Sequence, residues 1–138
     1  AYMGQWANRN LDSSEKLYLG GANGVRAYPA NEGGGSTGQM ANLELRWQLP
    51  AGFTGSLFYD WGKITQNVDN AFAGAPYANN YELRGHGLGL GWLASFGLQL
   101  KIVWAHRDGH NPNPTARGRD QDGSLDKDRW WLSASLPF

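Results

Sequence analysis

The chain has 138 residues, no cysteine, and 12 basic against 12 acidic side chains. That length holds at most one domain, the missing thiols exclude disulfides and thiolate metal sites, and the charge balance offers no case for a nucleic-acid partner. No segment approaches the roughly 18 uninterrupted apolar residues of a membrane helix, whereas a β-barrel stays open because outward apolar and inward polar residues cancel in the mean hydropathy of -0.55.

Tyr2 to about Arg9 reads as a first strand, and Leu11 to Lys16 as one helical turn through Asp12 and Glu15. A Gly-rich connection from Gly20 to Gly38 follows, then a strand from about Ala41 to Leu49 and a tight turn at Pro50, Ala51 and Gly52. The next strand runs from about Phe53 to Ile64, and a loop rich in Asn, Ala and Gly reaches Asn80. Tyr81 to Leu93 is a strand, Ala94 and Ser95 a hairpin turn, and Phe96 to His106 a further strand. A polar loop carrying Asn111-Pro-Asn-Pro114 and Asp120-Gln-Asp-Gly123 leads to a last strand from Arg129 to Phe138. Long and short connections alternate, which is the asymmetry of an up-and-down membrane barrel.

A period of two divides each strand into unlike faces. One face carries Leu43, Leu45, Trp47 and Leu49; Leu57, Tyr59 and Trp61; Leu88, Leu90 and Trp92; Leu98, Leu100, Ile102 and Trp104; and Trp130, Leu132, Ala134, Leu136 and Phe138. The other carries Asn42, Glu44, Arg46 and Gln48; Ser56 and Asp60; Gln99 and Lys101; and Ser133 and Ser135. Charged side chains in mid-strand need water or partners, so a barrel would turn this second face to a hydrated or packed polar lumen. A soluble β-sandwich would bury the apolar face instead, and alternation alone fits both.

Gly20-Gly-Ala-Asn-Gly-Val-Arg-Ala-Tyr-Pro29 resembles the Gly-Gly, then Val-Arg-Gly-Tyr signature of the outer-membrane transporters of two-partner secretion, the haemolysin-activator family. Leu57-Phe-Tyr-Asp-Trp-Gly62 is similar to that family's Phe-x-Asp-x-Gly strand, and Leu83-Arg-Gly-His-Gly-Leu-Gly-Leu90 to its next strand. The resemblance extends from about Leu11 to Phe138. It implies an all-β, antiparallel, up-and-down transmembrane barrel of about sixteen strands, of which residues 1–138 are the C-terminal part with five or six strands. Periplasmic domains would lie outside this chain, and a first residue that is not methionine, with no secretory signal, reads as a piece of a longer precursor. So few strands cannot close a barrel, since the smallest use about eight, and the fragment must join further strands or other chains.

The implied function is a pore in the bacterial outer membrane that secretes and activates a large partner polypeptide, such as a haemolysin or adhesin. The implied partners are that polypeptide, outer-membrane lipid and the barrel-assembly machinery, with no nucleic acid and no cofactor. In the family, the loop with the arginine folds back into the lumen and its arginine pairs with the strand aspartate. The corresponding lock here comprises Val25, Arg26 and Tyr28 with Phe58, Asp60 and Gly62. Ala27 stands where the family has glycine, so a positive φ at that position would be strained. Trp130, Leu132, Leu136 and Phe138 resemble the terminal signal that marks outer-membrane barrels for assembly. A barrel-assembly factor of the same superfamily is the nearest alternative, and a soluble β-sandwich binding module is the alternative from another class.

Other patterns read as structure. The glycines of Gly85-His-Gly-Leu-Gly-Leu-Gly91 fall on every second residue with no helix pattern after them, so they bare one strand face and do not cradle a dinucleotide. His106, Asp108 and His110 read as a solvated strand end ahead of a metal site, and Asp120, Asp122, Asp126 and Asp128 as a solvated acidic loop ahead of a calcium loop. No nucleophile elbow surrounds any serine, and no enzyme is expected.

Overall fold

The computed structural model describes residues 1–138. Six strands form one antiparallel sheet in the order β1 (Tyr2–Gln5), β4 (Thr37–Gln48), β5 (Phe53–Thr65), β6 (Asn80–Leu93), β7 (Gln99–Arg107) and β8 (Asp128–Ser135). Between β1 and β4, residues 6–36 leave the sheet and carry a two-stranded ribbon of β2 (Leu17–Tyr18) and β3 (Gly34–Gly35). Each of β5 to β8 is hydrogen-bonded to the strand before it in the chain, which is the up-and-down order. The fold is therefore all-β and antiparallel, a section of barrel wall with β1 and β8 as its two lateral strands.

The connections differ in kind. Residues 49–52 and 94–98 are tight turns at one end of the sheet, while residues 6–36, 66–79 and 108–127 are long excursions at the other. Ala51 and Gly52 both take positive φ in the first turn (61° and 81°), and Gly97 does so in the second (93°). That second turn is closed by the Ala94 amide donating to the Leu98 carbonyl at 2.9 Å, so β7 starts at Gln99, later than the Phe96 that alternation indicates. β8 stops at Ser135 for a similar local reason, since Pro137 cannot donate to a ladder. Toward the N-terminus, β1 ends at Gln5 instead of about Arg9, and residues 11–16 make a turn closed by the Glu15 amide on the Asp12 carbonyl, not a helix.

The pleat puts side chains where the period of two demands. Along the outer face, Leu45 lies beside Leu57, Leu57 beside Leu88, Leu88 beside Trp104 and Trp104 beside Trp130 in one cross-strand row. No second sheet covers this face: Leu43 is 76%, Leu45 65%, Leu88 50% and Leu132 79% exposed. A soluble protein does not leave so continuous an apolar surface in water, so the sandwich alternative fails here.

The inner face is divided, which the sequence reading did not separate. Toward the tight turns it is polar, with Arg46, Thr54, Ser56, Gln99, Lys101, Ser133 and Ser135 around a cavity of about 390 Å³. Toward the long connections it carries Met40, Ile64, Leu83, Val103 and Ala105, all buried under Leu19, Val25, Ala27 and Tyr28 of the 6–36 excursion. The hydrophobic core is the seam between the inner wall and a segment folded back onto it. Burial of such a cluster contributes roughly 1.5–3 kcal/mol per large side chain, and this holds the excursion in place.

The two faces predict opposite responses to the same substitution at adjacent positions. In the full-length protein, Leu132→Arg should cost about 2–4 kcal/mol of membrane insertion stability if mid-depth, whereas Ser133→Arg should leave the inserted fraction near wild type. Quantitation of the heat-modifiable barrel in membrane fractions tests both.

Candidate functional site

Asp60 sits in the middle of β5 on the inner face, opposite Asn42 of β4 and Gly85 of β6. Its side chain is completely buried. An ionised carboxylate there requires a cation and donors, and Arg26 provides both. The Arg26 Nε and Nη2 donate to Asp60 Oδ2 and Oδ1 at 2.9 and 2.8 Å, a two-pronged pair, and the Arg26 backbone amide donates to Oδ2 at 3.0 Å. Asn42 Nδ2 completes the set, donating to Asp60 Oδ1 at 2.8 Å and to the Gly24 carbonyl at 3.0 Å.

The remaining prong of Arg26 is also held. Its Nη1 donates to Glu44 Oε2 at 2.7 Å, and Glu44 accepts from Arg46 through its other oxygen. The guanidinium carbon lies 3.4 Å from the centre of the Phe58 ring, so the plane is stacked as well as hydrogen-bonded. Burial disfavours the Arg26 charge, but the hydrogen bonds to Asp60 and Glu44 outweigh it and raise the pKa above its ordinary value. The charge is locked on.

Local backbone structure aims the arginine. The Val25 amide donates to the Leu19 carbonyl at 2.7 Å and the Tyr28 amide to the Val25 carbonyl at 3.1 Å, which bends residues 19–28 into a tight tip. Trp131 of β8 donates its indole N–H to the Arg26 carbonyl at 2.8 Å, fixing the tip from the far side of the sheet. Ala27 is fully buried and does not take a positive φ, so the strain expected at this position is absent. Its methyl group sits over Gly85: a Cβ built there would come 2.5 Å from the Ala27 Cβ.

The glycines of the inner face are therefore vacated space. At Gly62 a Cβ would meet Leu19 Cδ2 at 2.8 Å, and at Gly87 it would meet the Phe58 ring at 2.6 Å. The alternate glycines of β6 make a groove for the loop tip and for the ring under Arg26. Of the residues expected in the lock, Arg26, Phe58 and Asp60 meet directly, Gly62 admits Leu19, Val25 shapes the tip, and Tyr28 packs farther along the wall. Asn42 and Glu44 were not foreseen as partners, although counting back from the turn at residues 50–52 places them opposite Asp60 and Phe58.

The other sequence candidates are apart from this site. Trp130 and Leu132 face outward on β8, while Leu136 and Phe138 lie past its end. His106 Nδ1 lies 2.8 Å from Asp128, Asp108 lies 2.7 Å from His86 Nδ1, and no group of three or more such side chains converges on a point. Asp120 corrects the reading of a solvated acidic loop, because it is fully buried and ion-paired with Arg107.

A barrel-wall section whose lumen face is occupied by a re-entrant arginine loop defines the class of protein. Residues 1–92 match the family model described as haemolysin secretion/activation protein ShlB/FhaC/HecB, and the chain belongs to that family. Its members are secretion proteins of the Gram-negative outer membrane, not enzymes. Among curated proteins the chain is similar to the heme/hemopexin transporter protein HuxB of Haemophilus influenzae, with 28% identity over 139 residues. HuxB of strain 86-028NP is 27% identical over 141 residues. Each alignment takes in 98% of this chain but 23% of the relative, so the chain spans about a quarter of the length of those proteins. No solved structure matches it.

The space under the loop yields a graded prediction. Gly85→Val would drive a side chain into Ala27, whereas a Cβ at Gly91 meets only ordinary contacts at 3.8 Å or more. Gly85→Val should therefore destabilise the full-length barrel by about 1–3 kcal/mol and Gly91→Val by much less. Denaturant midpoints of the two variants, measured in parallel, check the ordering.

Proposed function

We propose that residues 1–138 are the C-terminal part of the barrel of a two-partner secretion transporter, which moves a large partner polypeptide across the bacterial outer membrane. Periplasmic domains, and the strands that complete the wall, belong to the remainder of the protein. The observation that carries this reading is Arg26 placed on Asp60 inside the wall, in a family of haemolysin secretion and activation proteins. That match also favours secretion of a partner over general barrel assembly.

The inner surface suits the task. Beside the tight turns it offers hydroxyl, amide and a few charged groups, which can replace water around a passing extended backbone without offering an apolar surface that would retain it. On the long-loop side the re-entrant segment fills the lumen wall with packed side chains. Passage of a polypeptide past this part of the wall then depends on where the loop sits, and Arg26 with Asp60 sets that position. Outward Leu, Ile and Trp side chains meet outer-membrane lipid, and the residues at the end of β8 serve as the mark for the assembly machinery.

The test is export by the intact transporter. Arg26→Ala and Asp60→Ala should each reduce the secreted partner severalfold while heat-modifiable barrel remains in the membrane. Wild-type export from both variants would remove the loop from the mechanism.

A further inference from the structure

The strand register sets Asp60, Gly85 and Arg107 side by side on the inner face, one residue from each of β5, β6 and β7. The tripeptide Arg26, Ala27, Tyr28 runs along this row: Arg26 binds Asp60, Ala27 covers Gly85, and the Tyr28 ring lies 4.3 Å from the Arg107 guanidinium carbon. The loop tip is consequently seated at two charged points and not one.

Arg107 faces a second buried carboxylate. Its Nη1 donates to Asp120 Oδ1 at 2.9 Å and its Nη2 to Oδ2; Arg107 is 3% exposed and Asp120 0%. Asp120 belongs to the 108–127 connection, so this pair ties that connection to the wall. Asn111, from the same connection, donates through Nδ2 at 2.9 Å both to Asp120 Oδ1 and to Glu32 Oε1. Glu32, 1% exposed and part of the re-entrant segment, also accepts the Gln121 amide on Oε2 at 2.8 Å. Its backbone carbonyl takes the amides of Leu19 and Gly20, which close the base of the tip. Glu32 thus joins the base of one loop to the middle of the other.

The electrostatics agree with a closed cluster. Burial works against the Asp120 charge, but Arg107 and Asn111 hold its carboxyl below the usual range. For Glu32 burial prevails over the Gln121 and Asn111 hydrogen bonds and pushes the carboxyl up, and burial likewise takes the Tyr28 hydroxyl up to about 12. Removing one partner from such a cluster leaves another buried and unpaired, which is strongly destabilising.

We propose that Arg107, Asp120, Asn111 and Glu32 are positioning residues that clamp the re-entrant segment and the 108–127 connection into one unit. The arginine loop then leaves its seat only if the connection opens with it, and a disturbance of the connection is felt at the loop. Such coupling is reciprocal. The inference concerns the same loop as the proposed function, but it does not depend on export.

Hydrogen exchange in the full-length protein, reconstituted in lipid with no secreted partner present, tests it. Asp120→Asn should speed exchange about fivefold or more in residues 19–33 as well as in its own connection, and Arg26→Ala should do the same to residues 108–127. Acceleration confined to the mutated segment in both variants would overturn the clamp. Should Asp120→Asn fail to insert, Asn111→Ala, which spares the Arg107 pair, is read for the same two outcomes. Because no partner is exported in this measurement, a negative result leaves the secretion assay untouched, and a failed secretion assay leaves this one interpretable.

Discussion

A fully buried carboxylate in the middle of a barrel strand dictates the arrangement around it. Asp60 without a counter-charge would be a buried and unpaired charge, and that cost would loosen the wall at that row. No strand neighbour is cationic at that position, since Asn42 and Gly85 flank it, so the cation must arrive from outside the sheet. Arg26 arrives on a loop. The glycine groove on β6, the bare position at Gly62, the Phe58 ring and the Glu44 carboxylate are the conditions under which that arrival is sterically and electrostatically possible.

The same geometry gives the inner face its two halves. Where the loop lies against the wall, apolar side chains from both sides exclude water and give the ion pair a low-dielectric setting in which separation is expensive. Below the loop the wall returns to hydroxyl, amide and lysine side chains. The outer face is divided as well: Leu45, Leu57, Leu88, Ile102 and Leu132 make an apolar band toward the tight turns, and Lys63, Glu82, Arg84, His86 and Asp128 follow it toward the long connections. One sheet therefore presents four kinds of surface, and the parity of each residue, with its height on the strand, decides which.

Much of this was visible in the sequence. The pleat forces successive side chains to opposite faces, so Leu43 to Leu49 and Leu98 to Trp104 disclosed both the strands and their apolar outer face. Strand ends were less legible, because Gly97 and Pro137 interrupt ladders without interrupting the apolar alternation. The 6–36 excursion, being Gly-rich and aperiodic, concealed the β2–β3 ribbon. Arg26 with Asp60 came from a family resemblance, and no local pattern contains it. Arg107 with Asp120 was hidden altogether: the two residues belong to a strand end and a loop whose path is set by tertiary contacts, and an aspartate among other aspartates looks solvated until its partner is placed.

The most direct test of the account is a double-mutant cycle between Arg26 and Asp60 on the unfolding free energy of the full-length protein in lipid or detergent. Residues in one buried network couple by about 0.5–3 kcal/mol, and the stacked, two-pronged geometry here places this pair at the upper end of that range. Strictly additive effects of the two substitutions would contradict the account, because they would mean that the loop and the wall are stable independently of one another.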